Sequence, residues 1–288
     1  MKIVVRVPGS CGELVQGWSE GSPFLGTCPI NKYTTVEVSS DFSGQYGLGE
    51  KSLLALSLTL SRLGKTDFSY GIRLTSELPR GKGMASSSAD IAAVVVAVME
   101  ILGQPWTEQF IMDIATTIEP TDGVFCPGVV LMNHITGQVL AGYRQVPALQ
   151  AAVFDLGGTV NTCELHAQVI VDKSKIDSQA MAAMLAVFRG AMTAQDGAAL
   201  ARAAAQSAFL NQDNLYKQEL TALWQLGKAA GALGVNVAHS GTVIGLWWPA
   251  QAGQEEISRQ AEDIARQLAV SFRGIVQLRP GGVEVRRT

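Results

Sequence analysis

Runs of apolar residues divide the first half of the chain into strands and helices. Short β-branched runs predict strands, and leucines that recur every three or four residues predict helices. A glycine- and proline-rich stretch, residues 8–31, follows the first predicted strand, and we interpret it as a binding loop because it is too long for a plain hairpin. The predicted elements are strands at residues 3–7, 33–39 and 69–75, helices at 52–63, 86–102 and 107–118, and a hairpin formed by 129–133 and 138–142.

The second half of the chain is rich in alanine, which favours helices that pack closely. Strands and helices do not alternate strictly, so the pattern indicates an α+β fold rather than a doubly wound parallel sheet. We place a boundary near Pro147, which divides the chain into domains 1–147 and 148–288. The predicted elements are helices at residues 177–192, 197–211, 217–233 and 255–268 and strands at 151–156, 235–239, 243–248, 274–278 and 283–286.

The composition excludes several classes of protein. Of the 288 residues, 47% are apolar and 16% are charged, as is typical of a packed globular protein. The formal charge is −3 without a long basic block, which argues against a nucleic-acid partner. The longest apolar run, Ile91–Val98, is about half as long as a membrane span requires. The charged N-terminal run predicts a strand rather than a signal peptide.

Cysteine and histidine spacing gives no sign of a metal site. The cysteines are widely scattered without a C-x-x-C pair, and the histidines lack the spacing of metal ligands. We therefore expect reduced thiols and a cytoplasmic location. These residues are Cys11, Cys28, Cys126, Cys163, His134, His166 and His239.

The most informative segment, Pro79–Asp90, combines alternating glycines with three serines at the start of a long apolar helix. Glycine lets the backbone approach a ligand, and the unpaired N–H groups of a helix start attract anions. A serine-capped helix after a turn explains the segment equally well. It is not a P-loop, because Lys82 is followed by Gly83, and not a dinucleotide fingerprint, because Ser86 stands where the third glycine belongs.

Three further segments carry candidate chemistry, and each has an ordinary structural explanation beside it. Residues 8–17 form a glycine turn with Glu13, which suits a substrate ammonium. Residues 118–124 place Glu119 and Asp122 where a helix ends, a pattern that is normally only a turn. Residues 239–246 contain two glycines, and a β-hairpin turn explains them as well as a functional motif does. A histidine in the position of His239 is more often structural than catalytic.

These segments together resemble the motifs of the GHMP kinases. In the second motif, P-x-G-x-G-L-G-S-S-A, the chain matches at Pro79, Gly81, Gly83, Ser86 and Ser87. Met84, Ala85 and Ser88 replace the residues usual there. Ala85 matters most, because its methyl group restricts the backbone beside the phosphates and the loop has to tolerate a Cβ. The first motif is matched in part, with Ser10 where many members carry a lysine or arginine, and the third is matched at Ser240 and Gly241.

Two stretches narrow the resemblance to the bacterial L-threonine kinases of cobalamin synthesis. Residues 29–36 and 153–162 are similar to segments of that branch, although Asn161 stands where the branch has an aspartate. The resemblance implies a two-domain GHMP kinase fold, with a ribosomal-protein-S5-like N-terminal domain and a ferredoxin-like C-terminal domain. It also implies ATP and Mg²⁺ as cofactors and L-threonine as the substrate, converted to O-phospho-L-threonine for the aminopropanol linker of cobalamin.

The resemblance also assigns roles to residues. Asp122 is the implied catalytic residue, and Ser87 and Glu119 are the implied Mg²⁺ ligands. The ATP phosphates are assigned to Pro79, Gly81, Lys82, Gly83, Met84, Ala85, Ser86, Ser87 and Ser88. The substrate is assigned to Ser10, Gly12, Glu13, Asp155, Ser240 and Gly241. Two alternatives stay open: a kinase of this fold for another alcohol such as homoserine, and a catalytically silent nucleotide-binding regulator. A homodimer is compatible with the sequence.

Overall fold

The computed structural model describes residues 1–19, 21–158, 177–213 and 216–288. Asn161, Cys163 and His166 lie outside these ranges. The helices of the described residues are α1 (Glu50–Arg62), α2 (Ser86–Ile101), α3 (Glu108–Ile118), α4 (Ser178–Ala194), α5 (Gly197–Leu210), α6 (Leu220–Ala229) and α7 (Gln254–Leu268). The strands are β1 (Lys2–Ser19), β2 (Ser22–Ser39), β3 (Gln45–Tyr46), β4 (Gly71–Ser76), β5 (Val129–Met132), β6 (Val139–Tyr143), β7 (Leu149–Asp155), β8 (Gly234–Val237), β9 (Val243–Pro249), β10 (Ser271–Gln277) and β11 (Glu284–Arg287).

The strands form one mixed sheet in the order β10-β7-β9-β8-β1-β2-β4-β3, with β11 beside β1 and the β5–β6 hairpin beside β2. Every strand pair is antiparallel except β3 with β4. A largely antiparallel sheet covered by helices is an α+β fold, so the predicted class is confirmed. The domain boundary near Pro147 stays a prediction.

Residues 8–31 do not form the loop that we predicted. Residues 8–19 belong to β1 and residues 22–31 to β2, and the two strands pair from Lys2–Ser39 to Ser19–Ser22 in one long hairpin. The register shifts three times between Pro8 and Val15, so the glycines and the proline there mark bulges rather than an exit from the sheet. Residues 8–15 and 23–30 are buried without interruption, which removes the alternation that identifies a strand in sequence.

Helix α2 is the centre of the larger hydrophobic core. Fourteen of its sixteen residues are buried, and it packs against β1, β2, α1 and α3. A second core lies between β7, β8, β9 and the C-terminal helices α6 and α7. The predicted helix at 107–118 is confirmed, and Thr107 caps it, since its hydroxyl accepts a hydrogen bond from the Phe110 N–H at 3.1 Å.

Cys11, Cys28 and Cys126 are buried free thiols. Burial, followed by the negative charge of Glu13, raises the pKa of Cys11 to about 12, so this thiol is held in its unreactive protonated form. Among the helices in the described ranges, none has the length and apolar character needed to cross a membrane.

Candidate active site

A cleft of about 410 Å³ opens where α1, α2 and the loop after α3 meet, a volume in the usual range for a small-ligand site. Its walls are the first turn of α1, the glycine loop (residues 79–85) with the first turn of α2, and the 119–122 segment. Glu13 from β1 and Ser240 from the turn after β8 close one end. The cleft therefore collects residues from all four of the segments that carry candidate chemistry.

The glycine loop has an unusual backbone. Its φ angles are positive at every second residue, 70° at Gly81, 79° at Gly83 and 53° at Ala85. Such alternation turns successive N–H groups into one concavity that binds anions. Ala85 adopts the left-handed conformation despite its Cβ, so the loop does tolerate an alanine there, at a cost of about 1–2 kcal/mol.

The carbonyl groups of the loop point away from the cleft. The Lys82 carbonyl accepts hydrogen bonds from the N–H groups of Thr242 and Val243 at 3.0 and 3.2 Å. The next two carbonyls, of Gly83 and Met84, accept from the first segment, where Gly12 donates at 3.2 Å and Ser10 at 3.0 Å. Both neighbouring segments therefore hold the loop by its carbonyl oxygens.

The N–H groups of residues 83–88 are left without an acceptor in the described part of the chain. They belong to the loop and to the first turn of α2, whose N-cap residue Ala85 offers no capping side chain. A buried helix start without a cap is a ready site for an anionic ligand. This backbone arrangement favours a phosphate site over the serine-capped helix.

The glycine loop and the 239–243 turn pack so closely that each of them needs a glycine at the contact. A Cβ on Gly83 would lie 2.3 Å from the Cβ of Ala238, and a Cβ on Gly241 would lie 2.3 Å from the carbonyl oxygen of Lys82. Gly241, Gly12 and Ser10 therefore shape the loop from behind and do not line the cleft.

Ser88 connects α2 to the segment after α3. Its hydroxyl lies 3.0 Å from the Thr121 hydroxyl and accepts a hydrogen bond from the Asp122 N–H at 3.1 Å. Ser86 and Ser87 also line the cleft. Ser88 therefore places Asp122 opposite the start of α2, and its hydroxyl is committed to that contact.

Three carboxylates meet at this end of the cleft: Glu13, Glu119 and Asp122. Burial, followed by the negative charges of Glu13 and Glu119, raises the pKa of Asp122 from 3.8 to about 8. Clustered carboxylates of this kind attract cations, because each added positive charge relieves their mutual repulsion.

Glu119 is held by a lysine that the sequence did not single out. The Lys51 Nζ atom lies 2.5 Å from Glu119 Oε2, and the Glu119 side chain is only 3% exposed. The other oxygen, Oε1, is buried without a hydrogen-bond partner in the described residues. An unpaired buried carboxylate oxygen is costly, so it marks a position where a further cation or donor would bind favourably.

Glu13 is held by His239. Its Oε2 atom accepts a hydrogen bond from the His239 N–H at 2.9 Å and lies 2.8 Å from the ring Nδ1. Glu13 sits between two register shifts of β1, opposite Val237 of β8, and such bulges redirect a side chain. Oε1 keeps no partner within the described ranges. His239 thus has a structural task, in agreement with the expectation for it.

Lys82 and Asp155 are not brought into the cleft. Lys82 Nζ lies 3.0 Å from Asp155, which Arg273 also contacts at 2.7 Å and Thr242 at 2.7 Å. Burial alone would raise the pKa of Asp155, but the hydrogen bonds from Thr242, Lys82 and Arg273 outweigh it and lower that pKa to about 2. These contacts lock the back of the glycine loop to β7, so both residues support the loop.

Pro79 likewise stays outside the lining of the cleft, whereas Gly81, Gly83, Met84 and Ala85 belong to it. The sequence analysis missed Lys51 and Arg80, the cationic side chains of the described residues that line the cleft. Lys51 had a detectable signal, because a lysine in the first turn of a helix opposes the helix dipole. No cluster of three or more His, Cys, Asp or Glu side chains suited to a metal occurs in the described ranges, so a cation here would rely on few protein ligands.

Comparison with known sequences agrees with this site. The family model for the GHMP kinases N terminal domain matches residues 50–127, which span α1, the glycine loop, α2 and Asp122. An L-threonine kinase of Citrobacter freundii is 34% identical over 251 residues, which are 84% of this chain and 85% of that protein. An L-threonine kinase of Salmonella typhimurium is 31% identical over 265 residues, 91% and 85% of the two chains.

Solved structures show the same fold at low identity. A homoserine kinase from Cytophaga hutchinsonii superposes with a TM-score of 0.71 at 18% identity, covering 99% of this chain and 97% of that one. The mevalonate kinase of Methanococcus jannaschii gives 0.73 at 13% identity, covering 96% and 98%. The two-domain kinase fold implied by the motifs is thereby confirmed. The chain belongs to the GHMP kinase family, whose members phosphorylate an alcohol at the expense of ATP.

Proposed function

We propose that this kinase transfers the γ-phosphoryl group of ATP to the hydroxyl of L-threonine and produces O-phospho-L-threonine. The observation that carries the proposal is the meeting of a phosphate-binding backbone with Glu13, Glu119 and Asp122 in one cleft. The name shared by the two relatives that align over most of the chain supports threonine as the acceptor. The product would serve the aminopropanol linker of cobalamin.

The free N–H groups of residues 83–88 would hold the phosphates of ATP. They lie at the start of a helix and lack acceptors in the described part of the protein, and the helix dipole favours negative charge there. Phosphoryl transfer needs mainly this positioning, together with neutralisation of the charge that spreads over the transferred group.

Ser87 and Glu119 would hold Mg²⁺ beside the phosphates. Two observations make the site suitable for Mg²⁺: Glu119 Oε1 is a buried oxygen with no partner in the described residues, and Mg²⁺ prefers oxygen ligands. Mg²⁺ would neutralise phosphate charge. Because Mg²⁺ in proteins usually keeps several waters and takes substrate phosphates as ligands, one carboxylate and one hydroxyl would be a sufficient protein contribution.

Asp122 would orient the threonine hydroxyl and accept its proton. Ser88 fixes the backbone of Asp122, and no hydrogen bond within the described ranges engages its carboxyl group. Glu13 would receive the threonine ammonium through Oε1, while His239 holds Oε2 in place. A charge-assisted hydrogen bond of this kind favours an amino-acid acceptor over an alcohol without an amine.

The test is ADP release by the purified protein with MgATP and a panel of acceptors: L-threonine, L-homoserine, mevalonate and none. We expect turnover above background with L-threonine and formation of O-phospho-L-threonine, identified by mass spectrometry. Preference for homoserine or mevalonate would replace the proposed substrate, and no acceptor-dependent turnover would favour a silent nucleotide-binding protein.

Glu13→Gln tests the substrate pose within the same assay. We expect a higher KM for threonine, with ATP affinity unchanged, because the amide keeps the shape of Glu13 but loses the charge that pairs with the ammonium. The exposed Glu262→Gln on α7 is the matched control. An unchanged KM for threonine in Glu13→Gln would move the ammonium elsewhere.

A further inference from the structure

Lys51 occupies an unfavourable position in α1. It follows the N-cap Gly49 and Glu50 in the first turn, and no side chain caps that turn. The positive end of the helix dipole repels a lysine there. Its side chain nevertheless reaches across the cleft to Glu119 and remains 36% exposed. A residue that breaks a local rule in a functional cleft is expected to have a role there.

The charges around the cleft leave Lys51 in a special position. Among the described residues, Arg80 also lines the cleft, but its side chain is 62% exposed and lies 3.6 Å from Asp90. Lys217 donates a hydrogen bond to the Gly241 carbonyl and does not line the cleft. Of the cationic side chains in the described ranges, Lys51 is therefore the one that contacts Glu119.

A metal ion on Glu119 would disturb the Lys51 contact. Glu119 Oε2 is 2.5 Å from the ammonium, and Oε1 belongs to the same carboxylate, so a divalent ion on Oε1 would lie within a few ångströms of a second positive charge. Repulsion at such a distance is strong in a partly buried site. The flexible four-carbon stem of lysine allows the ammonium to move aside, and the bound triphosphate would then offer it more negative charge than a single carboxylate does.

We propose that Lys51 is a catalytic cation that pairs with Glu119 in the free protein and moves to the γ-phosphoryl group when the metal nucleotide binds. In the free protein the ammonium neutralises a buried carboxylate. In the complex the same ammonium stabilises the negative charge that spreads over the transferred phosphoryl group. The proposal rests on the proposed function for its reaction, but it makes a binding prediction that needs no acceptor.

The test variant is Lys51→Gln, because glutamine can still donate a hydrogen bond to Glu119 Oε2 while it lacks the charge. Lys51→Arg retains the charge, and Lys65→Gln, at an exposed lysine just after α1, is the matched control. We expect Lys51→Gln to lower kcat by about 10²–10³-fold, as removal of a transition-state donor does, with the KM for threonine little changed. Lys51→Arg should recover part of kcat.

Nucleotide affinity provides a readout that a structural role would not move. The dissociation constants of Mg²⁺·ADP and of the non-hydrolysable Mg²⁺·AMPPNP are measured by calorimetry for each variant. Lys51→Gln should reduce the preference for AMPPNP over ADP by about 10-fold, equivalent to about 1.4 kcal/mol, because AMPPNP alone carries the γ-phosphoryl group. Lys65→Gln should keep the preference.

Two results would overturn the proposal. An unchanged kcat in Lys51→Gln removes Lys51 from catalysis. A lower kcat with an unchanged AMPPNP-to-ADP preference shows that Lys51 acts only by positioning Glu119. If the unsubstituted protein fails to phosphorylate threonine but Lys51→Gln still loses the AMPPNP preference, the proposed acceptor is wrong and the role of Lys51 stands.

Discussion

Replacing Asp122 by asparagine should stabilise the ligand-free protein while it abolishes the reaction. The side chains differ mainly in charge, and the charge is what the site penalises: burial first, then Glu13 and Glu119, raise the pKa of Asp122 from 3.8 to about 8. The folded protein thus binds a proton at Asp122 that the unfolded chain has already released above pH 4. The stabilising contribution of this group is complete at low pH and is lost as the pH rises toward 8.

The size of this change in stability follows from the linkage between proton binding and folding, which gives about 1.4 kcal/mol per pH unit for one proton. Between pH 6 and pH 8 the unsubstituted protein should lose about 2 kcal/mol of stability through Asp122. An asparagine at this position cannot titrate, so the Asp122→Asn protein should not show this loss. For a chain of this size, a loss of that free energy means that the melting temperatures of the two proteins move apart by about 4 °C between pH 6 and pH 8.

The assay is thermal unfolding of both proteins without nucleotide, in buffers from pH 6 to pH 8 at one ionic strength. Asp67→Asn, at an exposed loop aspartate after α1, is the matched control and should show no widening gap. The reasoning is refuted if the difference in melting temperature between Asp122→Asn and the unsubstituted protein does not change with pH. Such a result would mean that Asp122 is already ionised in the folded protein at pH 6. Turnover measured in parallel should fall strongly in Asp122→Asn, with ATP binding retained.

Three further substitutions test the phosphate site. Gly83→Ala should lower the free energy of unfolding by about 2 kcal/mol or more and weaken ATP binding, because its Cβ would lie 2.3 Å from Ala238. Gly103→Ala is the control: Gly103 has a similar φ but open space around it, so this variant shows the effect of backbone strain without the clash. Ser87→Ala should raise the Mg²⁺ concentration for half-maximal rate by about 10-fold or more, and an unchanged metal titration would contradict its role as a ligand. Ala85→Gly should raise the free energy of unfolding by up to about 1 kcal/mol, since the left-handed strain exceeds the entropy that glycine adds; chemical denaturation that shows a loss would contradict this.

The spacing of apolar residues predicted most of the helices and strands, because most of them bury either one face or, as in a buried helix, nearly all of their side chains. The amphipathic α7 and the apolar α2 were both expected within two residues of their observed bounds. The β1–β2 hairpin failed because its middle is buried on both sides and carries bulges. Glycine and proline mark the end of a strand in most sequences, but here they mark irregularities inside one.

The candidate site was predictable as far as it is built from contiguous motifs. The glycine loop, Glu119 and Asp122 come from local patterns, and the fold brings them to one cleft. The resemblance assigned Lys82 to the phosphates and Asp155 to the substrate. Their mutual ion pair joins residues 73 positions apart, and no local pattern contains such a contact. The contact of Lys51 with Glu119 likewise spans 68 positions, so the one local sign of Lys51 was its unfavourable position in the first turn of a helix.

The raised pKa of Asp122 makes sense if the substrates themselves switch on the base. Burial is the larger cause of the shift and remains in the complex, but the charges of Glu13 and Glu119 are the part that ligands remove. A metal ion on Glu119 and an ammonium on Glu13 would turn that repulsion into attraction and lower the pKa of Asp122. We therefore expect kcat/KM for threonine, which reports the nucleotide complex before threonine binds, to rise with pH through the pKa that Asp122 has while Glu13 still repels it. The kcat profile, which reports the complex, should rise at a lower pH. Coincident profiles would show that the ligands do not control the ionisation of Asp122.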